Sequence, residues 1–169
     1  MSARLKPPTS SFTSTEFRAA LGTFATGVTI VTARKTDGTL VGLTANSFNS
    51  VSLNPALVLW SLSRAAGSFH TFSNGSHYAI NVLGADQQML ARRFSEKVPN
   101  RFEGVVWEGG VGGAPLIQGA IAHFECFNRS QYREGDHIIF VGEVERCSHT
   151  AGASPLLYHG GKFYTELPL

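Results

Sequence analysis

Short β-branched and aromatic runs follow one another along this chain, and most are joined by turns too short to hold a crossover helix. Val28–Ala33 and Leu40–Thr44 flank Thr36-Asp37-Gly38 and read as a hairpin with an Asp-Gly turn. Ala56–Leu62 is continuously apolar and reads as a buried strand, and His77–Leu83 as another. Ile117–Asn128 and Ile138–Cys147 are long strand candidates separated by the turn Arg133–Asp136. Pro155–Tyr158 and Phe163–Thr165 read as short closing strands. Helical signals are few. Thr13 and Glu16 form a capping box ahead of an apolar face of Phe17, Leu21 and Phe24, with Gly27 as the stop. Ser68–Ser73 fits one helical turn, and Asp86 can cap a helix carrying Leu90 and Phe94. Lys97–Gly113 is irregular. Such a pattern predicts a mainly β, antiparallel barrel or sandwich and excludes a βαβ fold. No GxGxxG marks a dinucleotide-binding unit.

The 169 residues suit one domain, with residues 1–12 as a flexible arm and 13–169 as the folded unit. Charged residues make up only 15%, which points to a further buried surface such as a subunit interface. The net charge of +2 comes without a basic cluster, so no nucleic-acid partner is expected. There is no signal-like h-region and no apolar run of membrane-spanning length, so the expectation is a cytoplasmic protein with no membrane partner. Cys126 and Cys147 lie in apolar strand-like runs and read as buried thiols.

One segment breaks the strand pattern. Between GVTIVTA and ALVLWSL, the nine positions from Thr44 to Ser52 hold Thr44, Asn46, Ser47, Asn49, Ser50 and Ser52. Neutral hydrogen-bonding groups at that density suit a polar, planar or phosphorylated ligand. The plainer alternative is a β-bulge whose hydroxyls satisfy the backbone. Catalytic constellations are sparse. The six histidines show no HxxxH spacing, and no nucleophile elbow, P-loop or paired-carboxylate motif occurs. Chemistry on such a chain would rest on a bound cofactor, and hydride transfer between stacked rings needs no strong acid or base.

FATGVTIVTA (Phe24–Ala33), GLTANSFNSVSLNPALVLWSL (Gly42–Leu62), YAINVL (Tyr78–Leu83), GDHIIFVGEV (Gly135–Val144) and PLLYHGGKFY (Pro155–Tyr164) occur in this order. Together they resemble the flavin reductase domain, in particular the short-chain reductase component of two-component flavin-dependent monooxygenases. The resemblance runs from about residue 13 to residue 165 and implies a split β-barrel of the FMN-binding type, Greek-key-like and homodimeric. It implies hydride transfer from NADH or NADPH to FMN or FAD, with reduced flavin diffusing to a separate monooxygenase. By the same resemblance Thr44, Ala45, Asn46 and Ser47 line the isoalloxazine, with Thr26 and Val28 nearby. Ser61, Ser63, Arg64 and Ser68 form the phosphate segment, where Arg64 pairs with the phosphate and the turn near Ser68 adds N–H donors. His137 faces the nicotinamide as the catalytic candidate. Phe102, in an Asn100-Arg101-Phe102 run where the family more usually has Asp-Arg-Phe, and Tyr164 complete the cofactor-binding set. Trp60 and Trp107 read as packing. Two rival readings remain: a non-catalytic flavin- or haem-binding barrel, and a flavin oxidase of the pyridoxamine-phosphate type.

Overall fold

The structure, a computed structural model, describes residues 11–167. Residues 1–10, most of the expected arm, lie outside the described residues. Among the described residues three α-helices, α1 (Ser14–Gly22), α2 (Phe69–Asn74) and α3 (Gln88–Ser95), accompany twelve strands. The strands are β1 (Thr26–Gly27), β2 (Thr29–Arg34), β3 (Leu40–Ala45), β4 (Asn49–Leu53), β5 (Ala56–Ser63) and β6 (His77–Val82). They continue with β7 (Trp107–Gly109), β8 (Pro115–Ile117), β9 (Ala122–Glu134), β10 (His137–His149), β11 (Leu157–His159) and β12 (Lys162–Tyr164).

Seven of them make one antiparallel sheet in the order β3-β2-β6-β9-β10-β5-β4. The chain crosses from β5 through α2 to β6, and the β9–β10 hairpin fills the space between, which is Greek-key connectivity. The two edge strands β3 and β4 are joined by only three residues, Asn46–Phe48. Flat, seven strands would hold their edges about 29 Å apart, at about 4.8 Å per step. The link from Ala45 to Asn49 reaches at most about 14 Å. The sheet must therefore roll up. Ser47 helps close it: its Oγ accepts the Ser61 N–H at 2.9 Å and donates to the Ser61 carbonyl at 3.3 Å, beyond the last β4–β5 pair, Asn49 with Leu59.

Inside the roll lies a core of Val31, Ala33, Val58, Trp60, Leu62, Phe72, Tyr78, Ile80, Cys126, Ile138 and Phe140. A second cluster, including Val28, Ile30, Leu83, Ala91, Phe94, Ile117 and Leu156, covers the outer face of β2 with α3 and the loops. Strand β2 is thus buried on both faces from Thr29 to Ala33. Gly142 is where β10 passes closest to the interior: a Cβ there would collide with Tyr78 Oη and come within 2.9 Å of the Cys126 Cβ. Burial pushes the Cys126 thiol up to about 12, so it is an inert filler and not a nucleophile.

Several expectations need correction. Strand β5 is not continuously buried: Val58, Trp60 and Leu62 point inward while Leu57, Leu59, Ser61 and Ser63 are half-buried on the other face. The capping box of α1 forms as expected, with Glu16 Oε2 accepting the Thr13 N–H at 2.7 Å and Glu16 N–H donating to Thr13 Oγ1 at 3.2 Å. Its apolar face, however, is left largely uncovered, although the Phe17 ring meets that of Phe12 at 5.5 Å. Phe17, Leu21 and Phe24 are all exposed, Phe24 at 76%. The helix stops at Gly22, not Gly27, because Thr23 turns back to the Ala20 carbonyl through both its N–H and its hydroxyl. Asp86 does not cap α3; it sits inside a 3-10 turn, Ala85–Gln87, which Gln87 closes by accepting the Gly84 N–H at 3.1 Å. Within the irregular region, β7 pairs with β8 as a hairpin. The expected strand from Ile117 is broken at Gly119, whose φ of 84° ends β8 before β9 begins. Cys147 is exposed, not buried.

Candidate functional site

Among the described residues strand β3 pairs with β2 alone, so its other edge is open there. Along that edge runs a cleft of about 1060 Å³. Its floor is Thr39–Thr44, one wall is the turn Ala65–Ser68, and the other is the end of α3 with Lys97–Phe102, joined by Trp107. A smaller cavity of about 360 Å³ shares Thr44 and Ser95 with it and is lined further by Val28, Asn46, Arg92, Tyr158 and Phe163. The combined space suits an elongated ligand with one planar end.

The turn after β5 forms because Ser63 folds it back: its carbonyl accepts the Ala66 N–H at 3.0 Å and its hydroxyl the Ala65 N–H at 3.3 Å. The Phe69 and Thr71 amides are likewise taken, by Ala66 and Ser68 carbonyls. The Gly67 and Ser68 amides are what this turn leaves to offer a ligand. Ser68 itself caps α2 with no side-chain hydrogen bond. Arg64 donates its backbone N–H to the Asp136 carbonyl at 3.0 Å, and its exposed guanidinium has no ion-pair or hydrogen-bond partner among the described residues. His137 stands opposite Ser63 in the β10–β5 register, so it meets Arg64 at the same corner of the barrel. Its Nδ1 lies 2.7 Å from Asp136 Oδ1, and the imidazole holds the Asp136 carboxyl below the usual carboxylate range.

Of the residues singled out in the sequence, Thr44, Ser68 and Phe102 line the cleft, and Val28, Thr44 and Asn46 the smaller cavity. Arg64, Ser63 and His137 gather at the cleft's end by the Ala65 turn. Ala45 is 9% exposed, its carbonyl accepting from Thr29 Oγ1 at 2.7 Å. Ser47 and Ser61 bond each other just beyond the β4–β5 ladder and line neither cavity. The Thr44 hydroxyl donates to the Ala91 carbonyl at 2.6 Å and ties β3 to α3. The bulge-like reading of this run therefore accounts for its hydroxyls, while its backbone and Asn46 remain available to a ligand.

Thr26 pairs with Tyr158 on the small β1-β11-β12 sheet, and its Oγ1 is buried without a partner. Tyr164 is displaced by one position: Phe163, its neighbour on β12, points into the smaller cavity while Tyr164 stands outside at 48% exposure. Trp107, expected to be packing alone, lines the cleft. Sequence reasoning also missed Arg92, which stacks over Phe163 at 5.3 Å. The Asn100 side chain accepts the Phe102 N–H at 3.2 Å, which needs only a neutral carbonyl oxygen, so Asn serves this turn without the charge of an Asp.

An open strand edge, a turn with two free backbone amides and the cleft between them make one continuous site on the barrel. Residues 21–166 match the model of the flavin reductase like domain. The FMN reductase (NADH) SmoA of Agrobacterium fabrum is 47% identical over 150 residues, covering 89% of this chain and 84% of that protein. The reductase component of the flavin-dependent trigonelline monooxygenase of Acinetobacter baylyi is 43% identical over 89% of this chain, which spans 48% of that protein. Among solved structures, the Streptomyces globisporus C-1027 NADH:FAD oxidoreductase SgcE6, in complex with NAD and FAD fragments, superposes with a TM-score of 0.87 at 39% identity, covering 91% of this chain and 93% of that one. The chain belongs to the flavin reductase family, whose members pass hydride from a reduced nicotinamide to FMN or FAD.

Proposed function

We propose that this protein is the NAD(P)H:flavin reductase of a two-component system, giving reduced flavin to a separate monooxygenase. The observation that carries the reading is the cleft along the open edge of β3, with the Ala65–Ser68 turn as one wall and the Thr44–Asn46 backbone at its end. The orphaned Thr26 Oγ1, beside Tyr158 of the smaller cavity, is a further polar atom that a bound ring could satisfy.

When bound there, flavin supplies the electron-accepting ring. The chain's own groups do the rest. The Thr44 amide and the Asn46 side chain would hold the polar edge of the ring, where fixed N–H dipoles would favour added negative charge. Arg64 and the free amides of Gly67 and Ser68 hold the phosphate. His137, oriented by its 2.7 Å contact with Asp136, would flank the nicotinamide. The wall of α3 and Lys97–Phe102 shields the ring from water. Nothing in this list is a strong acid or base, as suits a step that depends on ring-to-ring distance.

The direct test mixes purified protein with NADH or NADPH, with and without FMN or FAD. Flavin-dependent loss of nicotinamide absorbance is expected; its absence with all four combinations would sink the reading, and amine oxidation with tightly held flavin would favour the oxidase alternative. Arg64→Ala is expected to raise the flavin KM roughly tenfold, the scale of one lost charge-assisted hydrogen bond at an exposed site, with the fold intact. An unchanged KM removes Arg64 from the phosphate site.

The same reading includes a homodimer. The half-buried outer row of Leu57, Leu59, Ile139 and Val141, and the exposed α1 face of Phe17, Leu21 and Phe24, support it. Sedimentation at micromolar concentration should give twice the chain mass; a monomer would contradict it.

A further inference from the structure

We propose that Arg101 is a positioning residue for the flavin, setting where along the β3 edge the ring can sit and how wide the cleft stands. The proposal rests on the flavin-reductase reading of the cleft.

The Gly42 carbonyl points out of the sheet, since Arg101 Nη1 reaches it at 2.8 Å. In an antiparallel edge strand the outward amide and carbonyl recur at every second residue, so those of Leu40 and Thr44 point the same way. A ligand edge with a donor and acceptors would find a similar pattern two residues further along. The edge alone therefore leaves the register open.

Arg101 removes that ambiguity by occupying the middle position. Its Nε and Nη2 donate to the Glu96 carbonyl at 3.0 and 2.6 Å while Nη1 takes Gly42. All three bonds go to backbone carbonyls, and no carboxylate pairs with it among the described residues. The guanidinium is thus a rigid spacer between the 96–102 wall and the cleft floor.

The surrounding packing fits that role. Phe94 and Phe102 meet edge to face at 5.0 Å over Gly42, where an added Cβ would lie 2.7 Å from Phe94. Arg93 donates to the Asn100 carbonyl at 3.1 Å, holding the other end of the loop. With Gly42 blocked, Leu40 and Thr44 are separated as outward positions, and of the two it is Thr44 that opens into both cavities.

A lysine keeps the charge but lacks the planar fork that spans two carbonyls. The test measures flavin KM at saturating NADH, NADH KM at saturating flavin, and flavin Kd by fluorescence quenching, for Arg101→Lys, Arg101→Gln and Asn100→Ala. Both Arg101 variants should raise flavin KM and Kd tenfold or more, with NADH KM within twofold of wild type. Asn100→Ala, which loosens only the turn, should raise them about threefold at an unchanged Tm; it carries the test if Arg101→Gln does not fold. Restoration of wild-type flavin affinity by Lys would mean that charge alone matters and would overturn the proposal, as would values within twofold for all variants. The Kd readout works without turnover, so a failure of the reductase reading is distinguishable from a failure of this one.

Discussion

Trp60→Ala should cost about 3–5 kcal/mol of stability, the range for emptying a large aromatic site. At roughly 2–4 °C per kcal/mol for a chain of this length, Tm should fall by about 6–20 °C. Trp60 is fully buried at the centre of the barrel, stacked on Phe140 at 4.9 Å and edge-on to Phe72 at 5.0 Å and Tyr78 at 5.7 Å. Its removal leaves three rings without a common neighbour, and interlocked strands on every side restrict collapse into the space. Trp60→Phe is the informative control. It keeps a ring against Phe140 and deletes an indole N–H that is buried without a partner, so it should lose much less. Thermal unfolding of both variants checks the pair; an alanine variant no less stable than the phenylalanine one would show that the aromatic cluster does not hold the barrel.

The second large effect is Asn81→Leu. Asn81 is completely buried on β6 and acts as a strut between layers. Its Nδ2 donates to the Ile30 carbonyl at 2.9 Å, Thr32 Oγ1 at 3.2 Å and the Pro115 carbonyl at 3.4 Å, and its Oδ1 accepts the Ile117 N–H at 2.8 Å. Leucine has a similar volume and no polar atom, so the buried Ile117 N–H loses its partner and the carbonyls lose a donor. One stranded buried group costs about 1–3 kcal/mol, which puts the total at roughly 2–5 kcal/mol. The damage should be local as well as global, because Asn81 ties β8 to the barrel and β8 carries β7 with Trp107 of the cleft. Hydrogen exchange at the Ile117 amide should quicken far more than at the Val31 amide. Equal protection in wild type and variant would sink the strut.

Most of the strands were legible before the structure because they obey local rules. The Asp-Gly turn between β2 and β3, the two-residue Gly135-Asp136 turn between β9 and β10, and the Thr13–Glu16 capping box all depend on neighbours within a few positions. The site was half legible. Thr44, Asn46, Ser68 and Phe102 fall on cavity walls, but Ser47 bonds Ser61 at the end of the β4–β5 ladder, and Phe163 lines the cavity where Tyr164 was expected. Whether a hydroxyl meets a ligand or a carbonyl across the barrel depends on which strand lies opposite, and a one-residue shift on β12 turns a side chain to the other face. Arg101 stands in a run whose Phe102 alone is assigned to the cofactor, and Trp107 reads as packing. Their roles arise only when a loop some sixty positions beyond β3 folds back over it.

What the sequence determined by itself was the β-rich class, the turns, and the resemblance that the family match confirms, since these rest on hydrophobic period and on motifs kept in order. What only the tertiary structure decided was the open edge of β3, the walls of the cleft, the exposed face of α1 and the half-buried outer face of β5. Those depend on which segments meet across long separations, and that choice is made by closing the barrel over its core.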